Sequence, residues 1–301
     1  MMEFYSNGKL LLTGEYAILD GAKGLALPTK FGQSLTVKKS KTGQINWRSL
    51  TENNTPWFTT DISIDNFNVI TTSDVAAAHR LVQIFRKTKS LNPAFLDSYQ
   101  GGYVDTKLTF PKDWGLGSSS TLINNMAQWA EVDPYQLLED TFGGSGYDIA
   151  CAQSDSPIVY QKIEGNPNVE IVDFDPAFKD RLFFIYLNKK QNSRDAIETY
   201  RQLDIDKKEL VAEVNDLTSL LLGAKNLDRF EAILNRHEIL LSDTLKLPTI
   251  KQQIFPDYQG SIKSLGAWGG DFILVTGRQQ EMEYFINKGY ATVIPYSKMI
   301  L

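Results

Sequence analysis

Between an alternating stretch at 103–110 and an apolar helical pattern at 118–130 lies Trp114-Gly115-Leu116-Gly117-Ser118-Ser119-Ser120. Two glycines in three residues, followed by three serines, leave the backbone few choices. It must turn sharply where no Cβ obstructs it, and the serines must open a helix. Such a strand–turn–helix unit aims uncapped N–H groups and the positive end of the helix dipole at whatever occupies the turn. That is a phosphate-binding arrangement, with three hydroxyls as further donors and one of them available to Mg²⁺. No Gly-Lys-Ser/Thr follows the glycines, so the loop is not of the Walker type. Taken singly, the same string also serves as a glycine-rich turn with a serine N-cap.

The surrounding pattern is mixed. Stretches 9–13, 33–39, 44–50 and 57–64 read as strands, with Asn53-Asn54-Thr55-Pro56 as a hairpin connection. A helix follows, capped by Ser73 or Asp74, with Val75, Ala78, Leu81, Val82 and Phe85 at helical spacing and Asn92-Pro93 as its stop. Asp133 opens a short helix over 134–140, and strand character resumes at 158–160. After Asn166-Pro167 come a buried-strand candidate at 182–187 and three helical stretches near 193–203, 207–222 and 228–244. Strands near 261–265 and 272–276 flank a glycine cluster, and a helix near 280–287 and a strand near 292–295 close the chain. The texture changes around 161–170, which gives expected domains of 1–165 and 166–301. There is no internal repeat.

A chain of 301 residues with 42% hydrophobic and 22% charged residues buries a large core. Its net charge of −5 argues against nucleic acid as a partner, since no basic field draws in a phosphate backbone. Any phosphate must be held locally. A lone cysteine, Cys151, excludes an intramolecular disulfide framework. Without a signal peptide or a long apolar run, the expectation is a cytoplasmic protein with no membrane contact.

Three further strings carry chemistry. In Gly143-Gly144-Ser145-Gly146-Tyr147-Asp148 a carboxylate follows a glycine turn, where it can accept a proton from a substrate hydroxyl. In Gly8-Lys9-Leu10-Leu11-Leu12-Thr13-Gly14-Glu15-Tyr16 a lysine opens an apolar strand and needs an anionic partner if buried. Gly266-Ala267-Trp268-Gly269-Gly270-Asp271 lies between two strands and can form a backbone anion nest. Each also has a plain reading, as a capping aspartate, an edge lysine and a hairpin turn.

In order and spacing together, these strings resemble the GHMP kinases, named for galactokinase, homoserine kinase, mevalonate kinase and phosphomevalonate kinase. The Pro-x-x-x-Gly-Leu-Gly-Ser-Ser signature matches Pro111 to Ser119, and the Ser-Gly-x-Asp base segment matches Ser145 to Asp148. The first family motif looks like Gly8 to Tyr16 and the third like Gly266 to Gly270. The resemblance implies a two-domain α+β fold, with a ribosomal protein S5 domain 2-like N-terminal domain and a ferredoxin-like C-terminal domain. It implies ATP and Mg²⁺ as cofactors and a small-molecule acceptor, with a homodimer as the assembly to test. It also implies Asp148 as base, Lys9 as the group that steadies the transferring phosphoryl, and the loop Gly115, Leu116, Gly117, Ser118, Ser119 and Ser120 on the nucleotide. Ser119 would ligate the metal with Glu139, or with Asp140 in its place. Glu15, Tyr16, Arg194, Gly266, Ala267 and Trp268 would lie toward the acceptor, with Lys189 and Lys190 as further cations for a carboxylate. The segment Gly14-Glu15-Tyr16-Ala17-Ile18-Leu19 resembles the isoprenoid branch of the family, in both mevalonate and phosphomevalonate kinases, and Tyr16 leans toward the latter. Mevalonate is the expected acceptor because of the charge of Asp271. Phosphomevalonate, a decarboxylase activity and a non-catalytic nucleotide-binding regulator are the alternatives. Two departures stand out: Asp113 replaces a frequent glycine, and Trp268 and Asp271 interrupt the third glycine run. A carboxylate added near the acceptor would repel one that already bears a phosphate.

Overall fold

In the computed structural model of the protein, residues 1–191 and 193–301 are described, with nothing described of the side chains at 193 and 194. The chain forms two compact units, each assembled from separated stretches. One comprises 1–8, 31–112 and 116–153, and the other 9–30, 113–115 and 154–301. Two long strands, β1 (Met2–Leu11) and β2 (Gly24–Lys39), run from one unit into the other, which is why neither unit is continuous in sequence. Only 33–39 of β2 alternates. Its first half is buried on both faces and contains Pro28, so period-two patterning missed it.

The first unit holds β3 (Gln44–Leu50), β4 (Pro56–Ser63), β5 (Val69–Thr72), α1 (Val75–Leu91), β6 (Gly102–Leu108), α2 (Ser118–Ala130), α3 (Pro134–Glu139) and α4 (Tyr147–Ala152). Its strands are ordered β5-β4-β3-β6-β2, antiparallel except for the parallel pair β3/β6. Val104 faces Val37 on one side and Trp47 on the other, which sets one face of the sheet as the core face. The helices bury their apolar stripes there. Phe85 of α1 meets Trp47 edge-on at 5.9 Å between ring centroids, and Trp129 of α2 meets Phe95 edge-on at 5.0 Å. Asp74 caps α1 by accepting from the Ala77 amide, and the helix stops before Asn92-Pro93. The segment around Asp148 differs from the sequence reading. Rather than passing straight from a glycine turn into a strand, residues 147–152 form the short helix α4.

The second unit holds β7 (Ile158–Ile163), β8 (Asn166–Ile171), β9 (Leu182–Tyr186), α5 (Ser193–Arg201), α6 (Lys207–Leu222), α7 (Leu227–Leu245), α8 (Ile250–Ile254), β10 (Ile262–Ser264), β11 (Phe272–Thr276), α9 (Glu283–Asn287), β12 (Val293–Pro295) and α10 (Tyr296–Met299). The first half of β2 pairs with β7, and β7 pairs with β8 in a hairpin that turns at Glu164-Gly165. A second, fully antiparallel sheet is ordered β10-β11-β9-β12. Its central strands are buried on both faces, so Phe183 and Ile185 join Phe255, Ile273 and Phe285, while Phe184 stacks on Tyr296. Asp206 and Asn226 cap α6 and α7, which pack against each other. Among the described residues no helix is long and apolar enough to cross a membrane.

Candidate functional site

The glycine–serine loop folds as its composition demands. Gly115 and Gly117 both have positive φ, 67° and 93°, a region that favours glycine. Gly117 is the N-cap of α2 and has no side chain with which to cap it. The Ser120 hydroxyl donates back to the Gly117 carbonyl at 2.9 Å, and Thr121 is tied to the Gln33 amide oxygen at 2.8 Å. Ser118 is half-buried and Ser119 exposed, so the first turn, with its unpaired amides, is reachable from solvent. Residues that sequence reasoning passed over hold this helix in place. Asn124 donates to the Ser6 hydroxyl at 2.8 Å, which donates to Asn125 at 2.8 Å, and Asn125 donates to the Gln33 carbonyl at 2.9 Å. Gln153, just past α4, donates to Asn124 at 3.0 Å. The available signal was two consecutive amides inside an apolar helix, a pattern that is costly unless both are satisfied.

Asp148 sits in the first turn of α4, half-buried, behind Gly146 at φ 93°. α4 packs against α2, whose N-terminus carries the serines. Burial, reinforced by the negative charges of Asp133, Cys151 and Asp148, pushes the nearby Tyr135 phenol up to about 12. The two metal candidates differ. Asp140 is engaged by Lys87 at 2.9 Å and Gln136 at 2.9 Å, and Lys87 holds its carboxyl below the usual range. Glu139 ends α3 with its side chain exposed. Among the described residues no group of three or more His, Cys, Asp or Glu side chains is placed to hold a metal.

The second unit gathers residues from three of the four glycine strings. The Lys9 ammonium donates to the Gly115 carbonyl at 3.1 Å, across 106 positions of sequence. Asp271 lies against the same glycine, so close that a Cβ on Gly115 would come within 2.4 Å of its carboxyl carbon. The Gln191 amide donates to Asp271 at 3.2 Å. Lys190 lies 3.8 Å from Asp113 and also acts electrostatically on Asp271. Tyr16, in the left-handed region at φ 62°, accepts from the Trp268 amide at 3.0 Å and packs on Tyr200. Trp268 and Ala267 are buried, with the indole N–H on the Pro248 carbonyl at 3.1 Å, while Gly266 is half-exposed. Lys189 is exposed, and Arg194 opens α5 with its side chain outside the described residues.

Glu15 belongs to a buried charged cluster in the same unit. It pairs with Lys263, which reaches Glu238 at 3.3 Å. Glu238 in turn accepts from the Ser264 amide and hydroxyl, the latter at 2.6 Å. His237 is fully buried, and its Nε2 accepts from the Gly14 amide at 3.2 Å. Burial, followed by the charge on Lys263, keeps this imidazole neutral well below its ordinary pKa. An accepting Nε2 places the remaining proton on Nδ1. Burial raises Glu15 to about 7 against the pull of Lys263. A carboxyl raised on folding adds stability that is complete below its unfolded value of 4.5 and is lost as pH rises through about 7. The melting temperature of wild type relative to Glu15→Gln should therefore climb by roughly 5 °C as pH falls through that window. Parallel thermal melts would test this, and a pH-independent difference would remove Glu15 as the titrating group.

No protein-family model matches the sequence, and no curated protein matches it. Solved structures do. The Methanococcus jannaschii mevalonate kinase superposes with a TM-score of 0.70 at 15% identity, covering 97% of this chain and 96% of that one. Streptococcus pneumoniae phosphomevalonate kinase, in complex with phosphomevalonate and AMPPNP, gives 0.69 at 16% identity, with 96% of each chain covered. Lactococcus lactis galactokinase complexed with galactose gives 0.66 at 14% identity, covering 94% of this chain and 87% of that one. Identity this low establishes the fold and no more, and over nearly its whole length the chain has the two-domain α+β fold of the GHMP kinases.

Proposed function

We propose that this protein is an ATP-dependent phosphotransferase that phosphorylates a hydroxyl of a small organic acid, with mevalonate as the acceptor. The observation that carries this reading is the convergence of Lys9, Gly115 and Asp271, one from each glycine motif, within a chain of the GHMP kinase fold. Residues this far apart in sequence are brought to one place by folding, as a site requires and three unrelated turns do not.

In this reading Gly115, Leu116, Gly117, Ser118, Ser119 and Ser120 cradle the nucleotide phosphates with backbone amides and the dipole of α2. Asp148 accepts the proton of the acceptor hydroxyl as its oxygen attacks the γ-phosphorus. Lys9 lowers the pKa of that hydroxyl and steadies the transferring phosphoryl. The exposed Ser119 hydroxyl and Glu139 carboxylate are oxygen donors of the kind Mg²⁺ takes, whereas Asp140 is already engaged by Lys87. A bound Mg²⁺ would supply charge neutralisation on the phosphates. Glu15, Tyr16, Arg194, Gly266, Ala267 and Trp268 are assigned to the acceptor side, where buried Glu15, Tyr16, Ala267 and Trp268 act by shaping the wall. The reading keeps 1–165 and 166–301 as S5 domain 2-like and ferredoxin-like domains, a cytoplasmic location, a small-molecule partner and a homodimer to be tested.

The carboxylate of Asp271 beside Gly115 favours an unphosphorylated acceptor. ADP release with Mg·ATP should therefore be at least tenfold faster with mevalonate than with phosphomevalonate, and near blank with homoserine or galactose. Preference for phosphomevalonate would overturn the acceptor, and CO₂ release would point to a decarboxylase. The interrupted third motif favours one other reading, a nucleotide-binding regulator, which ATP binding without turnover on any acceptor would support.

A further inference from the structure

Asp271 is held where a glycine is expected. Its backbone is in the left-handed region at φ 54°, which aspartate and asparagine tolerate better than other side-chain-bearing residues. The main chain is fixed on both sides: the Asp271 amide donates to the Lys189 carbonyl at 2.7 Å, and its carbonyl accepts from the Leu187 amide at 2.8 Å. The side chain is 8% exposed. Its Oδ1 accepts from the Gln191 amide at 3.2 Å, and all three carboxyl atoms would lie 2.4–2.8 Å from a Cβ on Gly115. Lys9 and Lys190 both act on it electrostatically, while Lys9 also donates to the Gly115 carbonyl at 3.1 Å and Lys190 lies 3.8 Å from Asp113.

Two ammonium groups, a main-chain N–H and a wall of glycine backbone are the donor set that takes a phosphate or carboxylate oxygen. Here a carboxylate of the chain itself accepts the main-chain N–H, lies against the glycine and feels the charge of both lysines. Asp271 and Asp113 oppose the charges of Lys9 and Lys190, which weakens the positive field that an incoming anion meets. Burial raises the Asp271 carboxyl, and Lys9, the Gln191 amide and Lys190 offset that only in part.

We propose that Asp271 is a resident anion in an oxyanion-binding site built from Lys9, Lys190, the Gln191 amide and Gly115, and that a ligand's phosphate or carboxylate enters by competing with it for the same cations. Competition of this kind weakens the site for every incoming anion, and the Asp271 charge opposes a doubly charged phosphate more than a carboxylate. The inference rests on the kinase reading only for the identity of the ligand. Its test measures binding rather than turnover, so either can fail alone.

The test is calorimetric titration of wild type and Asp271→Asn with inorganic phosphate and, separately, with ADP. Asparagine preserves the shape and the left-handed backbone while removing the charge. Phosphate should bind Asp271→Asn at least tenfold more tightly, since a unit charge a few ångströms away is worth more than that factor in a shielded site. Adding Lys190→Ala to that variant should reverse most of the gain. If ADP gains equally, the site takes a nucleotide phosphate. If phosphate gains alone, it takes an acceptor group, and both outcomes support the resident anion. Equal phosphate affinity in wild type and a variant with unchanged circular dichroism and melting temperature would overturn it. Should the asparagine variant fail to fold, Asp271→Gly suits the same backbone: tighter phosphate binding would again support the resident anion, and unchanged binding would overturn it.

Discussion

Asp148→Ala should lower turnover by at least 10²–10⁴-fold, the usual contribution of a positioned general base, while ATP affinity stays within a few-fold of wild type. The separation follows from placement. Asp148 opens α4 behind the Gly146 turn, whereas the amides expected to hold phosphate open α2. Removing one carboxylate leaves the α2 turn, its glycines and its supporting amide network intact. Asp148→Asn sharpens the test, because it keeps size and hydrogen-bonding capacity and removes only basicity. It should be about as impaired as alanine. Single-turnover kinetics and nucleotide titration on the same preparations would check both parts. Near-wild-type turnover in either variant would remove Asp148 as the base, and a parallel loss of ATP binding would make its role structural.

Lys263→Ala should cost the fold roughly 3–5 kcal/mol, the penalty for leaving buried charge uncompensated. Lys263 has no exposed surface and is the cation shared by Glu15 and Glu238, both nearly inaccessible. Deleting it leaves two carboxylates in the interior with each other as neighbours. In a chain of this size the loss corresponds to a fall in melting temperature on the order of 10 °C. A triple variant, Lys263→Met with Glu15→Gln and Glu238→Gln, should recover much of it, since neutralising all three groups removes the uncompensated charge. Chemical denaturation of the single and triple variants would decide. Equal destabilisation of both would place the cost in packing rather than in charge.

Much of the molecule was legible before its structure. The strand–turn–helix at Gly115–Gly117, the cap and stop of α1, the three longer helices of the second half and the buried strand β9 all follow from periodicity and from glycine, proline and capping chemistry, which act within a few residues. The first half of β2 and the helix α4 were not legible. The former is buried on both faces and so shows no alternation, and the latter is too short to show a period. His237 shows a different limit. A histidine in a helical pattern reads equally as a surface or a packing residue; His237 is buried, and nothing nearby in sequence marks the Gly14 amide as its donor.

Sequence alone settled what each segment can be: where the backbone turns, which serines open a helix, which carboxylates and lysines are candidates for chemistry. It could not settle which of these meet. Only the tertiary structure brought Lys9 to Gly115, set Asp271 against that glycine, gave Asp140 to Lys87 and left Glu139 exposed, and buried Glu15 beside Lys263. The physical reason is range. Turn and helix preferences are decided by neighbours along the chain, whereas charge pairing and burial are decided by neighbours in space, 106 residues away for Lys9 and Gly115 and 248 for Glu15 and Lys263.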